Sequence, residues 1–303
     1  MVSNIQQRLL NLATDIATSP ADDLIFIHTI MAQCALPAAK PPENVLVWER
    51  RQGRATLLVE AGRVINPKSG HFEQLGLPYG PKARLLLMHL NSEAVRRQSP
   101  IIPVEDTMTA FFRRLMGRSQ DGRELRRLKT QLSALAAAQF RLGITGGEGT
   151  VQVNTQIVGA FNLWLEKDES QRVMWPSCLK LSLDYYHSLL KHAVPLDERA
   201  IAALAHSAVA LDIYCWLAQR LHRVPPGKPQ LVTWVNLQEQ FGQGYTRIRK
   251  FREFFHGLLP QVQAAYPEAR FETDGHGMTL LQSPPPVRKR LVAVSHVLSG
   301  AGS

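Results

Sequence analysis

The same order of predicted elements occurs twice along this chain of 303 residues. Each copy has a long helix, a short capped helix, a glycine turn, a basic amphipathic helix and a β-hairpin. Gly117 and Gly242 take equivalent positions in the turns, although the copies share little residue identity. This order is typical of a winged helix, in which a helix-turn-helix precedes a hairpin wing. The repeat therefore predicts an α+β chain, mainly α with small β-hairpins, built from tandem winged-helix domains.

The length of the chain predicts two domains, because a single domain usually has about 100 to 150 residues. We predict an N-terminal winged-helix domain over 1–170, a C-terminal one over 171–285, and a basic, disordered tail over 286–303. The first domain also has N-terminal helices and an extra hairpin. The predicted helices are 5–17, 23–32, 82–97, 106–116, 122–140, 200–222, 234–241 and 245–259, and the predicted hairpins are 45–59, 151–165 and 269–282.

Positive charge is concentrated in the first helix-turn-helix. The chain has a formal net charge of +10 and a pI near 9.8, which favours polyanionic partners but does not prove one. Between residues 112 and 130 there are seven Arg and Lys residues against Asp121 and Glu124. The helical period puts Leu125, Leu128, Leu132, Leu135 and Gln139 on one face and Arg123, Arg126, Arg127 and Thr130 on the other. A cationic helix face fits the major groove of DNA, where Arg can pair with a guanine edge.

The second basic helix is less cationic and more aromatic. It has Arg247, Arg249, Lys250 and Arg252 against Glu253. We predict that Ile248, Phe251, Phe255 and Leu258 face inward and that Thr246, Arg249 and Lys250 face DNA. The phenylalanines are better explained as core than as a platform for stacking bases. The ordinary alternative for both helices is a solvated charged face.

Together the two helices predict a protein that binds double-stranded DNA in two successive major grooves. The predicted DNA-binding residues are Arg113, Arg114, Arg118, Arg123, Arg126, Arg127, Thr130, Thr246, Arg247, Arg249 and Lys250.

The sequence contains no motif that predicts an enzyme, a cofactor or a metal. It lacks a phosphate-binding Gly-x-x-x-x-Gly-Lys-Ser/Thr loop, a His-x-His pair and a His-Glu-x-x-His motif. We interpret Tyr185-Tyr186-His187 as packing residues, and Asp212 near His206 as an exposed or interhelical polar pair.

The sequence predicts a cytoplasmic protein. No signal peptide or apolar membrane span is apparent, so we predict no membrane contact. Cys34, Cys178 and Cys215 are odd in number and widely spaced, which predicts buried or inert thiols rather than disulfides or a zinc site.

Several segments resemble the plasmid-encoded replication initiators of the RepA type. They are residues 33–37 (QCALP), 76–84 (GLPYGPKAR), 194–197 (VPLD), 210–220 (ALDIYCWLAQR) and 241–245 (FGQGY). The resemblance implies a protein that recognises direct repeats at its own plasmid origin, opens the adjacent duplex, and brings in the host initiator and helicase. It also implies possible homodimers that form through the N-terminal winged helix and repress the protein's own gene. Two alternatives stay open, namely a winged-helix transcriptional repressor without a replication role and, less favoured, a nicking or strand-transfer enzyme.

Overall fold

The chain folds into mixed helices and short antiparallel sheets, which confirms the α+β class. The structure, a computed structural model, describes residues 4–21, 23–66, 69–103, 121–146, 149–160 and 178–287. We call the described residues up to 160 the first half and those from 178 the second half. The predicted domain boundary at 170/171, the predicted short helix at 106–116 and most of the predicted tail lie outside the described residues, so those predictions stand as made.

The elements of the first half include two helices at the N-terminus, a long α3 and a basic α4. Their bounds are α1 Asn4–Thr18, β1 Leu24–His28, α2 Thr29–Gln33, β2 Val47–Gln52, β3 Ala55–Glu60, β4 Arg63–Ile65, β5 Phe72–Gln74, α3 Gly80–Arg97, β6 Ile101–Pro103, α4 Gly122–Ala137, β7 Gln139–Gly146, β8 Gly149–Thr155 and β9 Val158–Ala160.

The second half ends in a helix, strand, two helices and a hairpin. Its bounds are β10 Cys178–Leu181, α5 Leu183–His192, β11 Ala193–Asp197, α6 Glu198–Leu204, α7 Ala208–Arg220, a 3₁₀ turn Leu221–Arg223, β12 Gln230–Thr233, α8 Trp234–Phe241, α9 Ile248–Ala265, β13 Phe271–Thr273 and β14 Gly277–Leu280. The last three strands form one sheet in the order β12-β14-β13.

The two halves are joined by an antiparallel pair of strands. β1 pairs with β11 so that Leu24 lies opposite Asp197 and His28 opposite Ala193. Ile25 and Ile27 point from β1 into the core, where α3 packs against the pair. Buried apolar side chains from both halves form one continuous cluster.

The prediction of a helix over 23–32 is therefore wrong for its first part. Residues 24–27 alternate between half-buried and buried side chains, as a strand does. Pairing with β11 satisfies their backbone groups, and the helix α2 begins only at Thr29.

In its described part, 151–160, the predicted hairpin at 151–165 is not formed, because β8 ends at Thr155 and β9 pairs with β10. Residues 161–165 lie outside the described residues. The predicted helix over 122–140 is too long, since α4 ends at Ala137. Chain reversal occurs earlier, between β7 and β8, and Gln139, predicted on the apolar helix face, is exposed at the start of β7. Phe140 and Leu142 are buried while Gln139 and Arg141 are exposed, which is the period of a strand. β7 completes a four-stranded sheet, β2-β3-β7-β8, through its pairing with β3.

The long helix predicted over 200–222 is divided into α6 and α7. The Oγ of Ser207 accepts the N–H of Ala210 at 3.2 Å, so Ser207 is the N-cap of a new helix. Thr233 caps α8 in the same way, accepting the N–H of Asn236, as the sequence predicted.

A buried ion pair also connects the halves. Nε and Nη2 of Arg84, on α3, lie 2.6 and 2.7 Å from the two carboxylate oxygens of Asp212, on α7. The side chains are 4% and 12% exposed. Burial raises the pKa of Asp212, and the Arg84 guanidinium opposes this shift. The predicted partner of Asp212 was His206, which instead lies 3.1 Å from the Ala203 carbonyl.

Cys34, Cys215 and the two tyrosines singled out in the sequence are packed in the interior, while the side chain of Cys178 lies outside the part that the structure describes. Cys34 and Cys215 are buried and free, and burial raises the pKa of the Cys34 thiol to about 12. Tyr185 is fully buried, donates a hydrogen bond to Asn91 at 2.9 Å and stacks on His28. This confirms its interpretation as a packing residue.

His28 is a buried, neutral histidine at the end of β1. Its Nδ1 accepts the N–H of Ile30 at 3.2 Å, and its Nε2 lies 3.0 Å from the Oγ of Ser188. Burial, and the nearby His192, lower the pKa of His28 from 6.5 to about 3. The ring therefore stays uncharged in the folded protein at pH values where it is protonated in the unfolded chain.

Acidification is expected to destabilise the fold through His28. Below pH 6.5 the unfolded state binds a proton that the folded state does not, so the free energy of unfolding falls by about 1.4 kcal/mol per pH unit until the folded pKa is reached. Between pH 7 and pH 5 the contribution of His28 is about 2 kcal/mol. Urea unfolding of the wild type and of His28→Gln measures it, because glutamine does not titrate. Equal pH slopes in the two proteins would contradict the prediction.

Candidate nucleic-acid interface

The basic helix α4 has the two faces that the sequence predicts. Leu128, Leu132 and Leu135 are fully buried. The side chains predicted to meet DNA are exposed: Arg123, Arg126, Arg127 and Thr130. The faces separate because apolar residues recur every three or four positions and pack on α3.

Local hydrogen bonds define the start of α4. The Asp121 carboxylate accepts the N–H of Glu124 at 2.7 Å, which caps the helix. The hydroxyl of Thr130 donates to the carbonyl of Arg126 at 3.0 Å, so its proton is engaged by the helix backbone. Arg113, Arg114 and Arg118 lie outside the described residues, and their predicted role stays a prediction.

The second basic helix begins later than the sequence predicts. α9 starts at Ile248, so Thr246 and Arg247 belong to the turn before it. In this turn Gly244 has φ 85°, and the Tyr245 N–H donates to the Gly242 carbonyl at 2.9 Å. Arg247 is extended, with φ −107° and ψ 120°, and is the N-cap, so the helix begins only at Ile248.

The aromatic residues of α9 form core, as predicted. Phe251 and Phe255 are fully buried, and Phe254 stacks on Tyr245 with ring centroids 5.0 Å apart. Ile248 was predicted to face inward and is 39% exposed, because it occupies the first position of the helix, beyond the aromatic cluster.

The first turn of α9 has more positive than negative charge. Arg249 and Lys250 are exposed, and both lie near the Glu253 carboxylate, at 3.9 and 2.9 Å. The hydrogen bond to Glu253 raises the pKa of Lys250 and lowers that of Glu253. Arg247, the N-cap residue, makes no side-chain capping bond. The first N–H groups of the helix are therefore open to an anion, which the helix dipole favours.

The hairpin β13-β14 is hydrogen-bonded to the start of α8, next to α9. Trp234, the first residue of α8, donates its Nε1–H to the carbonyl of Asp274 at 2.9 Å. The guanidinium of Arg252 lies 4.9 Å from the Trp234 ring centroid. Asp274 accepts the N–H groups of His276 and Gly277, which forms the predicted turn. The sequence pattern did not predict this contact of Arg252, which lies three residues after Arg249.

Two further findings concern metal sites and membrane-spanning helices in the described part of the chain. No cluster of three or more His, Cys, Asp or Glu side chains there is arranged to hold a metal ion. Among the same residues, no helix combines the length and the apolar character needed to cross a membrane.

The chain matches the model of a protein family, and its fold is similar to that of solved structures. The family model described as plasmid-encoded RepA protein matches residues 77–236, from the loop before α3 to the start of α8. No curated protein matches the sequence. A crystal structure of domains 2 and 3 of RctB, as selenomethionine derivatives, aligns with a TM-score of 0.51 and 10% identity, over 86% of this chain and 99% of that chain. A second structure of RctB domains 2–3 aligns with a TM-score of 0.48 and 10% identity, over 83% and 94%. At this identity the likeness to RctB concerns the fold alone.

Proposed function

Because the chain belongs to the family of plasmid-encoded RepA proteins, we propose that it initiates plasmid replication by binding repeats in double-stranded origin DNA. In this proposal it acts in the cytoplasm, opens the adjacent duplex and brings in the host initiator and helicase. It forms homodimers at some stage. Two winged helices, one in each half, make the DNA contacts.

The observation that carries the proposal is the arrangement around α9. α7, β12, α8, α9 and the β13-β14 hairpin follow one another in the order of a winged helix. Exposed Arg247, Arg249 and Lys250 cluster at the start of α9. An α-helix fits the major groove, where these cations would meet phosphates and base edges while the hairpin lies on the neighbouring backbone.

The basic helix α4 supports a second contact. Its exposed face has Arg123, Arg126 and Arg127, and Arg makes paired hydrogen bonds to guanine or phosphate. A protein with two such helices binds two segments of one duplex. This is consistent with a long or repeated site.

We propose further that the protein has no nicking activity. A tyrosine nucleophile must reach a phosphate, whereas Tyr185 is fully buried and Tyr186 is 7% exposed. Incubation with supercoiled plasmid and Mg²⁺ or Mn²⁺ tests this, and the appearance of open circles would overturn it.

The alternative function, a transcriptional repressor without a replication role, is distinguished by a genetic test. If the plasmid still replicates after the gene is deleted, the protein is not its initiator and the repressor is the function that remains.

Alanine substitution in either basic helix is expected to weaken DNA binding. Arg127→Ala and Arg249→Ala each cost about 1 to 3 kcal/mol on the specific site if the side chain contacts a base. If the side chain contacts phosphate, binding weakens on all sequences and the salt dependence becomes shallower. Footprinting on the DNA flanking the gene locates the site, and fluorescence anisotropy at several salt concentrations measures the affinities.

The control is Arg8→Ala, which removes the same charge from an exposed position on α1. It is expected to lower affinity less than either test variant, because Arg8 lies in neither basic helix and a charge that does not contact DNA is partly screened at physiological salt. Affinities and salt slopes that are unchanged in both test variants would remove α4 and α9 from the interface.

A further inference from the structure

The loop of residues 33–38, in the first half, is hydrogen-bonded directly to the α8–α9 segment of the second half. The N–H of Ala38 donates to Oε1 of Gln243 at 2.6 Å. Nε2 of Gln240 donates to the carbonyl of Gln33 at 3.1 Å. Gln243 lies in the turn that leads into α9. The entry to the second basic helix is thus held by the other half of the protein.

The same loop is held from its other side by Arg84. Nη2 of Arg84 donates to the carbonyl of Leu36 at 2.6 Å, and Nη1 donates to that of Pro37 at 3.1 Å. Nη1 also donates to the carbonyl of Gly80, while Nε and Nη2 bind Asp212. The planar guanidinium makes five hydrogen bonds in a fixed geometry, so the loop, α3 and α7 are held in one arrangement.

Polar contacts also connect α3 to the first basic helix. Oε1 of Gln131, a buried residue of α4, accepts the N–H of Tyr79 at 2.8 Å, just before α3 begins. Lys82 on α3 lies 3.6 Å from Glu124 in the first turn of α4. Specific contacts therefore run from α4 through the start of α3 and the loop to the turn before α9.

The segments that carry the family resemblance meet at this place rather than on the exposed cationic faces. Residues 33–37, 76–84, 210–220 and 241–245 supply, in turn, the loop, Arg84, Asp212 and Gln243. We name these parts the joint: residues 33–38, Arg84, Asp212 and Gln243. The DNA-binding proposal gives the joint no role, although it adds polar contacts between the halves to the β1-β11 pair and the shared core.

We propose that the joint sets the separation of α4 and α9, and that Gln243 is a positioning residue for the spacing of the DNA site. This inference rests on the proposed function. Two helices held in one rigid arrangement accept one distance and one rotation along the duplex. Each inserted base pair moves the second segment by about 3.4 Å and turns it by about 34°. The DNA or the protein must then deform for both helices to bind.

The experiment compares affinity for the footprinted site with affinity for versions that have one base pair inserted or deleted between the two protected segments. The wild type is expected to bind each altered site about tenfold more weakly, because the DNA must deform for both helices to bind. Gln240→Ala/Gln243→Ala removes both bonds from the loop to the α8–α9 segment. In this variant the loss is expected to fall to about threefold, because part of the deformation passes to the protein.

Two control variants separate positioning from a general effect on the turn. Gln238→Ala removes a bond from α8 to the Tyr245 carbonyl, which lies within the α8–α9 segment and does not reach the loop, so this variant should keep the wild-type loss of affinity. Gln243→Glu keeps an acceptor for the Ala38 N–H. Its added negative charge lowers affinity for every DNA, but the dependence on spacing should remain.

Three results would overturn the inference while the proposed function stands. They are affinity of the wild type that does not depend on spacing, an unchanged spacing dependence in the double variant, and an equal loss of that dependence in Gln238→Ala. Protection of one segment alone would overturn the inference and also the proposal that both basic helices contact DNA. Absence of any protection by the wild type would instead overturn the proposed function, and the inference with it.

Discussion

Replacing Asp212 by alanine is expected to lower the free energy of unfolding by about 3 to 5 kcal/mol. The substitution leaves the Arg84 guanidinium 4% exposed and without its carboxylate, and a buried charge without a counter-charge is strongly unfavourable. Urea denaturation followed by circular dichroism measures the change, provided that the transition remains two-state.

Two further variants test whether the orphaned charge is the cause. Arg84→Met/Asp212→Leu removes both charges, so it should cost less than Asp212→Ala, although the carbonyls of Leu36 and Pro37 lose their donor. Glu60→Ala breaks the partly exposed pair with Arg141, whose atoms lie 2.7 Å apart, and should cost about 1 kcal/mol or less. A cost for Asp212→Ala no larger than that for Glu60→Ala would contradict the explanation.

Replacing Gly242 by alanine is expected to cost about 3 kcal/mol, because the added methyl group overpacks the turn. A Cβ at this position would lie 2.6 Å from the carbonyl oxygen of Gln238 and 2.9 Å from Cδ2 of Phe251. That carbonyl accepts the Gly242 N–H at 2.7 Å, so moving it breaks a hydrogen bond. DNA binding through α9 should weaken together with thermal stability.

The matched control is Gly257→Ala, on the exposed side of α9. A Cβ there meets no atom within 4 Å, and alanine favours a helix over glycine, so this variant should gain about 0.5 to 1 kcal/mol. Calorimetry of the two variants should show melting temperatures shifted in opposite directions. If both variants melt at a lower temperature than the wild type, the loss of glycine flexibility, rather than the close approach at Gly242, would explain the loss of stability.

Much of the candidate interface could be predicted from the sequence because its determinants are local. The exposed cations of α4 follow from helical periodicity, and the start of α8 follows from Thr233, three residues before the N–H that it accepts. The turn of the last hairpin follows from Asp274, which binds N–H groups two and three residues later. Such contacts join residues that are already neighbours along the chain.

The errors arose where a distant segment determined the local structure. Residues 24–28 and 139–140 were assigned to helices from their local pattern, but pairing with β11 and with β3 makes them strands. The start of α9 was misplaced for a smaller reason. The extended N-cap Arg247 puts the start of the helix three residues later than predicted, which left Thr246 in the turn.

The sequence by itself determined the class of fold, the two basic helices, the cap of α8 and the last hairpin, since residues within about five positions of one another specify each of these. Only the tertiary structure decided which strands pair and what joins the halves. Arg84 and Asp212 are 128 positions apart, and Ala38 and Gln243 are 205 apart. No local pattern links such residues, because their contact depends on how the whole core packs.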